Sequence, residues 1–482
     1  MRFTVTILLL AILLLSEKVI AQDTANYPKP KISLKLAVLD FPYFKHAAQA
    51  FANHREGQGM GCSCSKHFGD YIKSYDSPSM NQTVQMTKNF YGTIGYFLEK
   101  GSQALFKPEK SGDRKFLSRL SGEVASFITT GLLMTAPFGQ VWLHEEFHRN
   151  ALSRRNIYSV DEVWKFKGGD YVKVSNVLDE DLIQLKKQFP HEHIRMSAAG
   201  IEGEIQFSRE YQMDHFFKDL NTPISGPYTF GVLGAIGYIY TTKDWQDIQE
   251  TLDKMNREET SISSRDFSGH DIATWVYDLF NPFEPFQNRG LHPSGTGIDR
   301  YINPAQDFTP EMTEYINRMS KRSMINFLSP SVFGIRKIRI NSELALNFAL
   351  RHTLTSFGDD RQADLLLKTK FGNFAGSYHR YSNRLRNFSG IELRLIHKKI
   401  NVFKNNLNID SRLMFWNQPK NFLFQDTTAS FGGALEVRVA PKLNRWYHPY
   451  LDIEAKTKGW LAGNPYQNQN VSVRVGFKGL IQ

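Results

Sequence analysis

The sequence predicts an α+β multidomain chain: an α-helical part followed by an antiparallel β-barrel of about eight strands. Three observations lead there. Beyond residue 335 apolar and polar residues alternate with a period of two. Before it, uncharged stretches and helix signals dominate. Short polar segments separate the alternating runs, as turns between antiparallel strands require.

The alternation is clean. Leu344, Leu346, Phe348 and Leu350 alternate with Ala345, Asn347 and Ala349. Ile391, Leu393 and Leu395 alternate with Glu392 and Arg394, and Leu435, Val437 and Val439 with Glu436 and Arg438. Val471, Val473, Val475 and Phe477 flank Ser472 and Arg474. Successive strand residues point to opposite faces, so each strand has one apolar and one polar face. Strands are expected over 336–351, 362–372, 374–382, 388–398, 402–416, 427–440, 447–458 and 469–480. In a water-soluble barrel the apolar face points inward; in a membrane barrel it points outward and paired charges fill the lumen. The polar face carries charges of both signs, which favours an outer-membrane barrel. The final residue, Gln482, is not the aromatic usual there, and a soluble β-domain is the alternative.

The start of the chain reads as a secretory signal over 1–21: Arg2, a short apolar run from Ile7 to Leu15, and a cut after Ala21. Residues 22–120 lean helical. Residues 121–330 form the candidate catalytic domain and 335–482 the barrel. Val124 to Leu143 carries no charge, and neither does Asn221 to Thr242. Each has the length of a membrane span, but Gly, Pro and Thr within them favour buried helices. Pro137 and Gly139 break the first stretch, and a new helix is expected to run through His144 to about Arg155. Trp164 to Val177 reads as a hairpin around Gly168-Gly169. Asp179-Glu180-Asp181 opens a helix that Pro190 interrupts, and another covers Met196 to Phe217.

Composition narrows the classes. Hydrophobic residues make up 41% of the chain, enough for packed cores. Only two cysteines occur, Cys62 and Cys64, so no disulfide framework exists; they read as loop thiols. The net charge of +11 suits an anionic envelope surface. Nucleic acid is not an expected partner, because no zinc-finger spacing, RNP-like strand or long basic helix is present. A nucleophile elbow, a phosphate-cradling loop and a dinucleotide fingerprint are also missing from the sequence.

The chemistry is carried by His144-Glu145-Glu146-Phe147-His148. Residues four apart share one helical face, so both imidazoles can reach one Zn²⁺ at about 2.0–2.1 Å. Glu145 then stands beside the metal, where it can take a proton from water and pass it to a leaving amine. The motif resembles that of the zincin metallopeptidases. The resemblance covers the helix at 135–155 and a downstream helix. It implies a zinc-dependent endopeptidase acting on protein or peptide, with Glu145 as general base. No third histidine follows at metzincin spacing, so a downstream carboxylate is implied, as in gluzincins. Glu202, in Ser197-Ala198-Ala199-Gly200-Ile201-Glu202, is one candidate, because small residues allow close helix approach. Glu210 is the other: Glu210 with Asp214 resembles the Glu-x-x-x-Asp segment of Ste24-type membrane peptidases, except that Met213 replaces the usual Ala. His270, Asp271 and His292 are candidates to line the cleft or orient a ligand. A site-2-type intramembrane protease is a rival reading if both uncharged stretches span a membrane. A non-enzymatic outer-membrane barrel is another. The expected location is the envelope of a Gram-negative bacterium, in the outer membrane or periplasm.

Overall fold

A computed structural model describes residues 29–58, 77–165, 172–243, 245–402, 405–443 and 447–481. The expected signal peptide, Cys62, Cys64 and the Gly168-Gly169 turn lie outside them.

All eight expected strands form: β5 (Ala345–Thr355), β6 (Gly358–Thr369), β7 (Gly372–Ser382), β8 (Asn387–Val402), β9 (Asn405–Pro419), β10 (Ala429–Pro441), β11 (His448–Lys456) and β12 (Asn470–Ile481). They follow one another as an antiparallel meander. The expected closed barrel is not observed. The sheet is open and has ten strands, in the order β1-β12-β11-β10-β9-β8-β7-β6-β5-β4. One edge, β1 (Ile32–Phe41), is added to the expected set; the other, the short β4 (Ile338–Arg339), splits from β5 the strand expected over 336–351. β1 comes from the region read as helix-leaning, and Ile32 pairs with Ile481 across nearly the whole chain. No local signal carries such a pairing.

Two helices occupy the opening between the edges. α2 (Met80–Phe106) starts at a capping box in which Ser79 and Gln82 satisfy each other's backbone N–H groups. It runs along β1, with Asn89 accepting from Lys35 N at 3.0 Å and donating to Lys35 O at 2.7 Å. α3 (Gly112–Leu133) packs on α2 and reaches the β4 side. There Arg119 donates to Gly334 O at 2.8 Å and Glu123 pairs with Arg336 at 3.0 Å.

The uncharged stretch Val124–Leu143 is divided between two helices, because α3 ends at Leu133 and α4 (Gln140–Ser153) begins past Pro137. The second stretch contributes α7 (Ser225–Thr241). Among the described residues no helix is long and apolar enough to cross a membrane. Of the expected Trp164–Val177 hairpin, only the second arm forms among the described residues: β3 (Val174–Ser175) pairs with β2 (Val160–Asp161), while Glu162–Lys165 is a 3₁₀ turn. α5 (Asp179–Gln188) ends just before Pro190. Proline tolerates the first helical turn, where its missing N–H costs nothing, and α6 (Pro190–Phe217) starts on it.

α6 is the axis of the molecule. Its 28 residues correspond to about 42 Å of helix. One end meets the loop after β11, where Arg195 Nη2 lies 3.4 Å from Leu461 O. The other end runs inside the curved sheet, where Arg209 donates to Ser377 at 2.9 Å and Phe216 and Phe217 pack on Leu366 and Ala375. Around its first half cluster α7, α9 (Asp271–Phe280) and α10 (Pro310–Ser323), joined through Ile194, Ile201, Ile239, Trp275, Ile316 and Met319, and α4, joined through Leu143 and Phe147. Each such buried side chain contributes about 1.5–3 kcal/mol. The charged faces of the strands turn inward onto α6, and the apolar faces turn outward.

Candidate metal centre

His144 and His148 lie on one face of α4, with ring centroids 4.8 Å apart. α4 can bring them to the axis because α6 gives way: a Cβ on Gly200 would lie 2.2 Å from His144 Nε2. Gly203 does the same for Phe147, where a Cβ would stand 2.8 Å from the ring. The small residues of α6 thus serve the close approach expected of them.

The third group is Asp271, the first residue of α9. Its Oδ2 lies 3.3 Å from His144 Nε2 and 3.2 Å from His148 Nε2. One ligand atom from each of the three residues falls within 4.8 Å of the others, and all three side chains are buried. This buried group can hold a metal ion.

The hydrogen bonds around it assign the lone pairs. Met196 O lies 2.6 Å from His148 Nδ1, and a carbonyl can only accept. His148 Nδ1 therefore carries the proton, and Nε2 is a bare, fully buried nitrogen with no hydrogen-bond partner. Glu204 Oε1 holds His144 Nδ1 in the same way at 3.1 Å. Both imidazoles are thus oriented through the ring nitrogen away from the site, as metal-binding histidines usually are. Ser268 Oγ donates to Asp271 Oδ1 at 2.5 Å, and Tyr238 OH donates to Oδ2 at 3.1 Å. Two imidazole lone pairs facing one carboxylate oxygen repel unless a proton or cation sits among them. The electrostatics agree. Burial raises the Asp271 carboxyl, but the two histidines outweigh it and hold it far below the carboxylate range. Burial lowers His144, but Asp271 and Glu204 together hold it well above the usual imidazole value. The donor set fits a divalent cation.

Glu145 stands beside His144, buried. Burial raises its carboxyl, His144 draws it back, and repulsion from Asp271, Asp161 and Asp266 raises it again. The result lies well above the ordinary glutamate value, which suits a group that must both take and return a proton. Its neighbour Glu146 points elsewhere and accepts from Arg149 at 2.6 Å.

The two carboxylates expected as third ligands are not at the site. Glu202 follows Gly200 by two residues, about 200° around the helix. It faces the opposite side, accepting from Arg195 Nη2 at 2.7 Å and Gly463 N at 2.8 Å. Glu210 lies ten residues beyond Gly200, about 15 Å along the axis. It accepts from Arg394 at 3.1 Å, and despite its burial Arg394 and Lys88 pull its carboxyl down to about 2. Asp214 pairs with Lys88 and Lys218, each at 2.7 Å, and orients no histidine of the site. His270 does border the site, with its ring 4.7 Å from that of Tyr238. His292 does not: its Nδ1 accepts from Ser294 N at 3.1 Å, inside the loop closed by the Leu291–Ile298 bridge. His193, outside the site, is buried against Asp278 at 3.2 Å. Glu204 and Tyr238 escaped the sequence reading. Glu204 had a usable signal, since it follows Gly200 by one helical turn.

Compared with protein-family models, curated proteins and solved structures, the chain matches none of them.

Proposed function

We propose that this chain is a zinc-dependent hydrolase of the bacterial cell envelope, with protein or peptide as substrate. One observation carries the reading: ligand atoms of His144, His148 and Asp271 converge, buried, within 4.8 Å of one another. Two imidazoles and one carboxylate are the protein donor set of a catalytic zinc site, in which water takes the fourth position. Bound there, zinc supplies a Lewis acid and brings the pKa of water toward ~7.

The remaining work belongs to the chain. Glu145 takes the proton of the attacking water and delivers it to the leaving amine. Glu204 and Met196 O hold the two rings, and Ser268 and Tyr238 hold Asp271, so the donors are set before substrate arrives.

The test is metal content together with hydrolysis. Purified wild type should carry one zinc per chain, whereas His144→Ala and Asp271→Ala should carry none. Glu145→Gln should keep the zinc and lose cleavage of an unstructured protein such as casein by a factor of about 10² or more. Equal metal in wild type and His144→Ala, or a fully active Glu145→Gln, overturns the proposal.

A further inference from the structure

We infer that the outer face of the sheet and the outer face of α3 form one lipid-facing belt, in which the α2–α3 pair replaces the strands that would close a barrel. The inference deepens the cell-envelope reading above and is independent of hydrolysis.

The polarity of the sheet is inverted relative to a water-soluble one. On β8, Glu392 is 1% exposed while its neighbours Ile391 and Leu393 are 54% and 58% exposed. The same holds on β11, where Asp452 and Glu454 are buried between exposed Leu451 and Ile453. The inward charges are paired: Arg394 with Glu210 at 3.1 Å, Arg412 with Glu454 at 2.8 Å, and Arg438 with Asp452 at 2.6 Å. The outward apolar residues are contiguous from strand to strand. Phe348 pairs with Leu365, Ile391 with Phe415, Leu393 with Leu413, and Leu413 with Leu435. Val437 continues the band to Ile453, and Ile453 to Val473. A soluble chain rarely leaves so extended an apolar surface in water.

Helix α3 is inverted in the same sense. Its buried residues are Ser118, Gly122, Ser126 and Thr130, all small and spaced by one turn. Its exposed residues include Leu117, Val124, Ile128 and Leu132, and Leu132 is 76% exposed. An aqueous helix buries its leucines and exposes its serines. Helices packed inside lipid do the reverse, using small residues to approach one another. Here a Cβ on Gly226 of α7 would lie 2.6 Å from Ser126 O, and Ser102 of α2 bonds Ser121 Oγ of α3 at 2.7 Å. α3 is not apolar all round, and a wall helix with one face on protein has no need to be. Its charged Arg119 and Glu123 are spent on Gly334 and Arg336 at the β4 edge.

Lipid is the occupant that fits. Strands β5 to β12 run from 9 to 16 residues, at or above the roughly 9–11 that a tilted strand needs to cross a bilayer. The turns after β6, β8 and β10 lie at one end of the sheet. Exposed Lys370, Lys398, Lys399 and Lys442 stand at or near them, placed to meet anionic headgroups. A second copy of the chain would cover one side only, whereas the apolar face continues across the sheet and reappears on α3.

Site-directed spin labelling tests this on the full chain, with Cys62 and Cys64 replaced by Ser. Single cysteines at Leu393, Leu413 and Ile128 report the belt, and one at Leu291, an exposed residue on the helical side, reports water. All four positions are on the surface, so folding is preserved and is checked by circular dichroism. In vesicles of phosphatidylethanolamine with phosphatidylglycerol, the three belt labels should favour oxygen over a nickel chelate by about tenfold relative to Leu291, because polar solutes are excluded from hydrocarbon. Nickel access at the belt equal to that at Leu291 overturns the inference. So does spin–spin broadening between copies at Leu393, which marks a dimer. Lipid contact at Leu393 and Leu413 with a wet Ile128 overturns the role of α3. Zinc content of the same samples reports on the metal centre separately.

Discussion

Asp271 decides whether the two histidines become a metal centre. Asp271→Asn keeps the shape but removes the charge that balances a cation. Metal affinity should fall by at least 10–100-fold, measured by competition with a chromophoric chelator. Glu202→Gln is the contrasting variant. It should leave metal binding intact while lowering stability by about 3–5 kcal/mol, because Arg195 then stays buried without its anion. A Glu202 variant that loses zinc and an Asp271 variant that keeps it would reverse the assignment. Glu204→Gln tests the outer support of His144: a neutral amide holds the ring less firmly, and affinity should drop by about 10–100-fold with the fold intact. At this scale the sequence was informative where chemistry is local. His144, Glu145 and His148 lie within five residues, and helical spacing alone places them together. Asp271 arrives from another helix, and only the tertiary fold tells it apart from Glu202. Helical phase could have narrowed the choice: once Gly200 faces the histidine, Glu204 shares that face and Glu202 cannot.

The close crossing of α4 and α6 rests on Gly200. A methyl group there would lie 2.2 Å from His144 Nε2, on a ring already held by Glu204 at 3.1 Å and Asp271 at 3.3 Å. Gly200→Ala should therefore displace the ring, costing about 1–3 kcal/mol and most of the metal affinity. Metal titration and thermal unfolding of the same variant separate the two effects. The far end of α6 has a pH-sensitive lock. His215 Nδ1 donates to Tyr211 O at 2.9 Å, and Nε2 accepts from Thr222 at 3.1 Å, so the neutral ring is satisfied. Burial lowers its pKa to about 3, against ~6.5 in an unfolded chain. Between those values the unfolded chain binds a proton that the native chain refuses. Stability is therefore full above ~6.5 and declines as the pH falls toward 3, by up to about 1.4 kcal/mol per unit. His215→Gln should be less stable near neutrality, yet its stability relative to wild type should improve on acidification to about pH 4.5. Parallel urea curves at the two pH values check it. The elements themselves were readable wherever one face repeats with a fixed period, as in all eight strands of the meander. β1 was not, although Leu34, Leu36 and Val38 alternate within it, because its partner lies at the far end of the chain.

The whole molecule depends on a polar axis inside an apolar shell, so its stability should be unusually sensitive to charge deletion at the centre. Arg209 shows why. It projects from α6 to the paired carboxylates of the sheet, bonding Glu392 and approaching Asp364 at 3.5 Å. Both anions are buried, and burial alone would raise their pKa values. The neighbouring arginines reverse that: Glu392 is held well below the carboxylate range, and Asp364 is held at about 2. Arg209→Met keeps the volume and removes the cation. Arg394 still serves Glu392 at 2.7 Å and Arg351 still serves Asp364 at 2.7 Å, so the loss is partial. A penalty near the low end of the 3–5 kcal/mol typical of a broken buried pair is expected, about 3 kcal/mol. Removing the charge from both partners, Arg209→Met with Glu392→Gln, leaves Arg394 with Glu210 at 3.1 Å and should recover part of the loss. The contrast is a belt position such as Leu393, where replacement by Ala removes no buried contact and should shift unfolding by less than about 0.5 kcal/mol. Unfolding of the three variants in one detergent ranks the terms. If Arg209→Met proves as mild as Leu393→Ala, the ion pairs are not what holds α6 within the sheet, and apolar contacts of Phe216 and Phe217 must hold it instead.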